Sequence, residues 1–293
     1  MTQQSEIIGN KNYIPLLNAG FVGLVDHMGN DDSIVQAARV SYGKGTKKVS
    51  EDRGLIRYLV RHSHTTPLEM VELKFHGKMP LFVARQWIRH RTASVNEYSG
   101  RYSEMSEDMF TPSLETIKPQ STDNKQGRGG NFDDSDKAQI SYRIDENNAH
   151  DQAEYQFLLK TGLAKEMARG VLSVNNYTEW YWKINLHNLF HFLKLRMDAH
   201  AQYEIRVFAE AMYELIKPIV PIACEAFEDY IFDPTRQTYQ SYKISKHELY
   251  AIKDIIAHAI DQGADLTQLY EELKERGMSQ REIAEFNIKF GLT

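Results

Sequence analysis

Apolar positions along the chain follow two periods, and the switches between them mark the elements. From Asp31 to Tyr42 and from Ser50 to His62 the spacing predicts helices, with Asp31, Asp32 or Ser33 able to cap the first and Ser50 the second. Pro67 stops helix formation, and Val71, Leu73 and Phe75 then alternate with Glu72, Lys74 and His76 in the period of a half-buried strand. Pro80 suits the first position of a short helix carried on by Leu81 to Trp87. Helix is predicted again from about Asn148 to Arg169, an extended piece through Tyr177 to Ile184, and one long helix from His187 to Leu215 before Pro218 and Pro221. On that helix Leu189, Phe190, Leu193, Met197, Ala201, Ile205, Phe208 and Met212 recur at helical spacing and read as core.

Two stretches break this pattern. Between Thr111 and Asp136 the chain turns to Pro, Gly, Ser, Asn, Asp and Gln with little to bury, which predicts an exposed, flexible loop. From Tyr242 onward it reads as a helical tail, with Ser279 and Glu282 at capping-box spacing and two short helices about Gly277. The expected division is therefore a domain over residues 1–241 carrying the 111–136 insertion, and a helical extension over 242–293. Residues 246–293 hold six Lys or Arg against nine Asp or Glu, so the tail is poorly suited to a DNA-binding helix-turn-helix.

Composition narrows the function class. With 42% hydrophobic residues, 293 positions suffice for a large core, and a net charge of -5 gives no global attraction to nucleic acid or an anionic membrane. Phosphate binding must then be local. No run approaches the roughly 18 apolar residues of a membrane span, and Met1 to Asn12 lack a signal-type apolar core, so a cytoplasmic protein is expected. The single cysteine, Cys224, excludes an internal disulfide and a Cys-rich zinc site, and it reads as a core residue on a helix after Pro221. Neither a P-loop nor a complete dinucleotide fingerprint is present.

The densest chemistry lies between Arg89 and Arg101: Arg-His-Arg-Thr-Ala-Ser-Val-Asn-Glu-Tyr-Ser-Gly-Arg. Three guanidiniums, an imidazole, two serine hydroxyls, an amide and a carboxylate are too many polar groups for an element that must bury itself. Arginines beside Ser94, Ser99 and Gly100 suit an anion cradle closed by backbone amides, although a solvated turn or a nucleic-acid patch would use the same residues. Ser99, His90 and Glu97 could be imagined as a hydrolytic triad, but sequence neighbours rarely converge in that way. His187 and His191 have the i, i+4 spacing of metal ligands, yet Asn188 stands where a zinc-protease motif needs glutamate. Arg196, beside Leu193 and Met197 of the buried stripe, is costly there unless an anion compensates it.

Written as R-H-R-x-x-S-x-N-E-x-S-x-R, the segment resembles the signature of the flavin-dependent thymidylate synthases. Further positions of that family occur in order: His64-Thr-Thr-Pro67 with Glu69, then Phe82 to Trp87, Arg169, the stretch Asn185 to His191, and Arg196. The resemblance covers about Gly20 to Tyr230. It implies a mixed α+β fold, long helices around a small sheet, in a homotetramer whose active sites are shared between subunits. It implies that Thr66, Arg89, His90, Arg91, Glu97, Asn185, His187 and His191 bind FAD. Gln86, Trp87, Ile88, Arg89, Glu97, Tyr98, Ser99, Gly100, Arg101 and Arg169 would take dUMP, with Arg196 stabilising charge on the uracil ring. Some members carry arginine where this chain has His187, whose contact would be weaker or made through backbone. The implied reaction is reductive methylation of dUMP to dTMP, with 5,10-methylenetetrahydrofolate as carbon donor and NADPH as reductant through FAD. No protein nucleophile is then required, and Cys224 need not act.

Overall fold

The strand signals assemble into one antiparallel sheet. In the computed structural model, residues 12–40, 50–122, 127–232, 258–263 and 266–275 are described, together with positions 280, 283, 284 and 287. Five strands, β1 (Tyr13–Leu16), β2 (Gly20–Met28), β3 (Glu72–Pro80), β4 (Ser94–Glu97) and β5 (Tyr177–Asn185), lie in the order β1-β2-β3-β5-β4. All neighbouring pairs are antiparallel, and the longest ladder sets Phe75 against Trp182 and Gly77 against Trp180. The hairpin between β1 and β2 was not expected, because its turn is made by Leu17 at φ 55° and not by a glycine that would announce it.

Helices α1 (Asp31–Arg39) and α2 (Ser50–Arg61) follow the apolar spacing closely. The cap of α1 differs from expectation: Asn30 accepts from the Ser33 N–H and Ser33 answers with its hydroxyl, closing a capping box one residue earlier. Asp31 instead turns inward and accepts from the Ile222 and Ala223 N–H groups at 2.8 and 3.1 Å, capping α8 (Pro221–Tyr230) from a distance. Pro80 ends β3 and is the N-cap of α3 (Leu81–Trp87), so the helix begins one residue later than expected.

Two larger differences concern helix extents. The helix expected from Asn148 starts fourteen residues earlier, as α4 (Asp134–Lys160), capped by the Asp133 carboxylate on the Asp136 N–H. It ends at Lys160, and Arg169 lies beyond the four-residue helix α5 (Lys165–Ala168). The long helix is two, α6 (Leu186–Arg196) and α7 (Tyr203–Ile216), and Met197 and Ala201 fall in the break, only partly buried. The insertion is not structureless: a 3-10 turn forms at Leu114–Thr116, and a bridge pairs Gln120 with Arg128. In the tail, α9 (Thr267–Glu275) is described, whereas Gly277, Ser279 and Glu282 lie outside the described residues.

The core sits between one face of the sheet and α1, α2, α3, α6, α7 and α8. Trp180, Trp182 and Ile184 enter it from β5 while Tyr181 and Lys183 point out, the period-two pattern of a sheet buried on one side. Among the described residues no helix is long and apolar enough to cross a membrane.

Candidate active site

The signature segment runs from the end of α3 to the edge of the sheet. Ile88 is the helix C-cap, and β4 then pairs with β5 with all four of its residues exposed. A polar, short strand at an edge needs no apolar face, which is how so polar a sequence can be a strand. Arg89 and Arg91, between the two elements, are exposed and make no ion pair or hydrogen bond among the described residues. Trp87 is fully buried, and its ring packs against Trp180, Trp182, Phe192 and Phe208 at 5.3 to 5.9 Å. Its side chain is therefore core, which leaves only its backbone for the substrate contact expected of this residue.

His90 and Arg196 meet at the ends of α3 and α6. The His90 N–H donates to the Trp87 carbonyl at 3.0 Å, and its ring stands edge-on to Phe192 at 4.9 Å. Arg196 donates from Nε to His90 Nε2 at 3.1 Å and from Nη2 to the Gln86 carbonyl at 3.2 Å. The guanidinium is half-buried and has no carboxylate partner among the described residues; burial lowers its pKa. Accepting from a cation requires His90 Nε2 to be bare, which assigns the proton to Nδ1. Burial first, then Arg196 and His191, push the His90 pKa down from 6.5 to about 4.

A folded state that binds this proton more weakly than the unfolded chain loses stability as pH falls from 6.5 toward 4. Discounted for its partial exposure, His90 should lower unfolding free energy by about 1 kcal/mol between pH 7 and pH 5. Urea titrations at the two pH values should show this drop in the parent and not in His90→Gln. An equal drop in both proteins would assign it to other groups.

A cleft of about 470 Å³ lies beside the sheet edge, lined by Glu97, Tyr98, Ser99, Gly100 and Arg169 together with Asn176 and Thr178. Glu97 Oε1 accepts from the Thr178 hydroxyl at 2.7 Å, and the Tyr98 N–H extends the ladder to the Glu179 carbonyl. The Ser99 carbonyl then takes the N–H groups of Tyr102 and Ser103, both at 3.1 Å, in a tight turn. A Cβ on Gly100 would stand 2.4 Å from Met105 Sδ and 3.2 Å from Arg169 Cδ, so glycine permits this close approach. Arg101 pairs with Glu166 at 3.1 Å on the surface, while Arg169 has no side-chain partner among the described residues. Thr178, Asn176 and Glu166 were not foreseen. Asn176 is fully buried; its Nδ2 holds the Ser106 carbonyl at 2.7 Å and its Oδ1 has no partner among the described residues.

A third cluster lies where α2, the 3-10 turn Thr66–Met70 and α6 converge. His187 and His191 line a cleft of about 350 Å³ with His64, Thr65 and Lys194, and Thr66 borders a neighbouring cleft of about 1050 Å³. The His191 and His90 rings are 6.1 Å apart, which joins this cluster to the Arg196 corner. Asn185 is the N-cap of α6, its Oδ1 taken by the Asn188 N–H and amide, both at 2.9 Å. Among the described residues no group of His, Cys, Asp or Glu has metal-site geometry. Ser99, His90 and Glu97 make no hydrogen bonds to one another, so the triad does not form. Cys224 is buried, and burial together with Asp31 and Glu228 pushes its thiol up to about 12, which leaves no thiolate for nucleophilic attack.

Residues 23–222 match the family model described as "Thymidylate synthase complementing protein". The flavin-dependent thymidylate synthase of Wolbachia pipientis wMel is 57% identical over 219 residues, covering 74% of this chain and 77% of that one. That of Ehrlichia ruminantium (strain Gardel) is 51% identical over 242 residues, 83% of this chain and 79% of that one. Among solved structures, the UMP/dUMP methylase PolB from Streptomyces cacaoi, bound with 5-Br dUMP, superposes with a TM-score of 0.68 at 34% identity. That likeness covers 75% of this chain and 99% of PolB. By matched length and identity, the chain belongs to the flavin-dependent thymidylate synthases.

Proposed function

We propose that the chain reductively methylates dUMP to dTMP in the cytoplasm, taking the one-carbon unit from 5,10-methylenetetrahydrofolate and reducing equivalents from NADPH through FAD. The observation that carries this reading is Arg196, a half-buried guanidinium held by His90 and Gln86 and lacking a counter-ion among the described residues. Such a cation is stable in that position if a ligand brings negative charge to it. The uracil ring does so when its N3 ionises, and a fixed guanidinium stabilises that charge without reorganising.

The donor set also fits a flavin. Arg89 and Arg91 are uncommitted guanidiniums suited to a pyrophosphate, and Thr66, His187 and His191 border the adjoining clefts. Asn185 would contribute its amide N–H groups, its oxygen being committed to the helix cap. When bound, FAD supplies the hydride, and so the protein needs no nucleophile of its own. The chain's residues bind and orient: Ser99, Gly100 and Arg169 take the nucleotide's phosphate, Glu97 and Tyr98 its sugar side, and Arg196 its base. The same reading extends to a homotetramer with active sites shared between subunits.

The visible spectrum of freshly purified protein tests the reading. Oxidised-flavin bands should be present or appear with added FAD, bleach under anaerobic NADPH with dUMP, and precede dTMP formation once the folate is supplied. A colourless protein that takes up no FAD would overturn it.

A further inference from the structure

The 111–136 insertion has no role in the reading above, yet it is tied to the Arg196 corner. Arg128 is fixed on the insertion's hairpin by its bridge to Gln120, by the Ser121 N–H on the Gly127 carbonyl at 2.9 Å, and by its own Nη1 on the Thr116 carbonyl at 2.8 Å. Its Nη2 reaches Glu204 Oε2 in the first turn of α7. Glu204 is 2% exposed, and Arg128 is its only ion-pair partner among the described residues. The same Oε2 accepts from Gln202 Nε2 at 2.9 Å, and Gln202 Oε1 accepts from Gln86 Nε2 at 2.5 Å. Arg196 Nη2 bonds the same residue at its backbone carbonyl, at 3.2 Å.

This chain of bonds has a direction. The Glu204 carboxylate can only accept, so it fixes the Gln202 amide with its NH2 toward Glu204 and its oxygen toward Gln86. Without the carboxylate in place, a flipped Gln202 amide would set NH2 against NH2 at Gln86. A carboxylate this deeply buried is kept there by its cation. We propose that Arg128 is a positioning residue for the dUMP site: it holds Glu204 in place, and through Gln202 it orients the side-chain amide of Gln86, the residue whose backbone carbonyl holds Arg196. The inference rests on the reading that Arg196 engages dUMP.

The test is steady-state kinetics with flavin content measured on each variant. Arg128→Ala should raise the KM for dUMP by about tenfold, the size typical of a residue acting through a ligand-bearing neighbour, with a smaller change in kcat and flavin retained. Arg128→Lys should recover most of the loss, because it restores the charge. In a Glu204→Gln background, removing Arg128 should matter less than in the parent. Lys118→Ala, an exposed change on the same insertion, should behave as the parent. A parent-like KM in Arg128→Ala, equal effects in both backgrounds, or an equal rise in Lys118→Ala would each overturn the proposal. So would a loss of turnover that follows the unfolded fraction and that lysine does not rescue. A parent protein that binds no dUMP would instead show that the functional reading itself has failed.

Discussion

Arg196→Ala should lower kcat/KM for dUMP by about 10²- to 10³-fold, the range found when one preorganised charge-stabilising donor is removed from a reacting centre. The guanidinium spans two acceptors, His90 Nε2 and the Gln86 carbonyl, and this fixes its plane before any ligand arrives. Arg196→Lys should recover little, since an ammonium on a flexible stem cannot bridge both acceptors in one plane. Flavin absorbance of the purified variant should stay near that of the parent, because Arg89, Arg91 and the His187–His191 cleft are untouched. Loss of flavin with intact dUMP affinity in titration would reverse the assignment of this residue. The substitution also removes one of the two charges that depress His90, so the imidazole should titrate closer to its ordinary value.

What could be read in the sequence was the chemistry that repeats at short range. The signature segment was recognisable because so many polar groups cannot share a buried element, and the structure resolves the puzzle by putting Ser94–Glu97 on an exposed edge. The half-buried place of Arg196 was legible too, from its neighbours Leu193 and Met197 on an apolar stripe. That same stripe concealed a break. Positions 193, 197, 201 and 205 keep helical spacing across Asp198–Gln202, so periodicity alone reads one helix. The chain turns there because the Asp198 carboxylate accepts from the His200 N–H at 2.8 Å and the Asp198 carbonyl takes the Ala201 N–H at 2.9 Å. The break matters to function, since it puts Gln202 at the head of α7 within reach of Gln86.

Other features depend on partners far away in sequence, and composition cannot announce them. In α4 only Asn148 and Tyr155 are buried, so no apolar stripe marks its first half, and its start was signalled locally by Asp133 at the cap and Asp134 and Asp136 in the first turn. Asp31 looked like a cap for its own helix, but its carboxylate caps α8 nearly two hundred residues on. Burial raises the Asp31 pKa, while those two N–H bonds oppose the shift. Thr178 sits at a buried position on β5, and nothing in its surroundings hints that it holds Glu97 across the cleft.

Trp87 separates the family signature from the scaffold under it. Trp87→Ala should cost about 3–5 kcal/mol of stability and lower the melting temperature by on the order of 10 °C, the loss expected for a large ring deleted from a closed core. The ring touches both tryptophans of β5 and a phenylalanine on each of α6 and α7, so the cavity would open where the sheet meets the helices that carry Arg196 and Gln202. Trp87→Phe should cost less than its volume alone implies, because the indole Nε1 is buried without a partner among the described residues and removing it relieves an unmet hydrogen bond. That variant should keep flavin and dUMP affinity near the parent's, since the residue's link to the site is its carbonyl on the His90 N–H, which phenylalanine preserves. Thermal melts and dUMP titrations on the same preparations decide the matter. If Trp87→Phe melted with the parent yet lost dUMP affinity, the ring would have to leave the core to meet substrate.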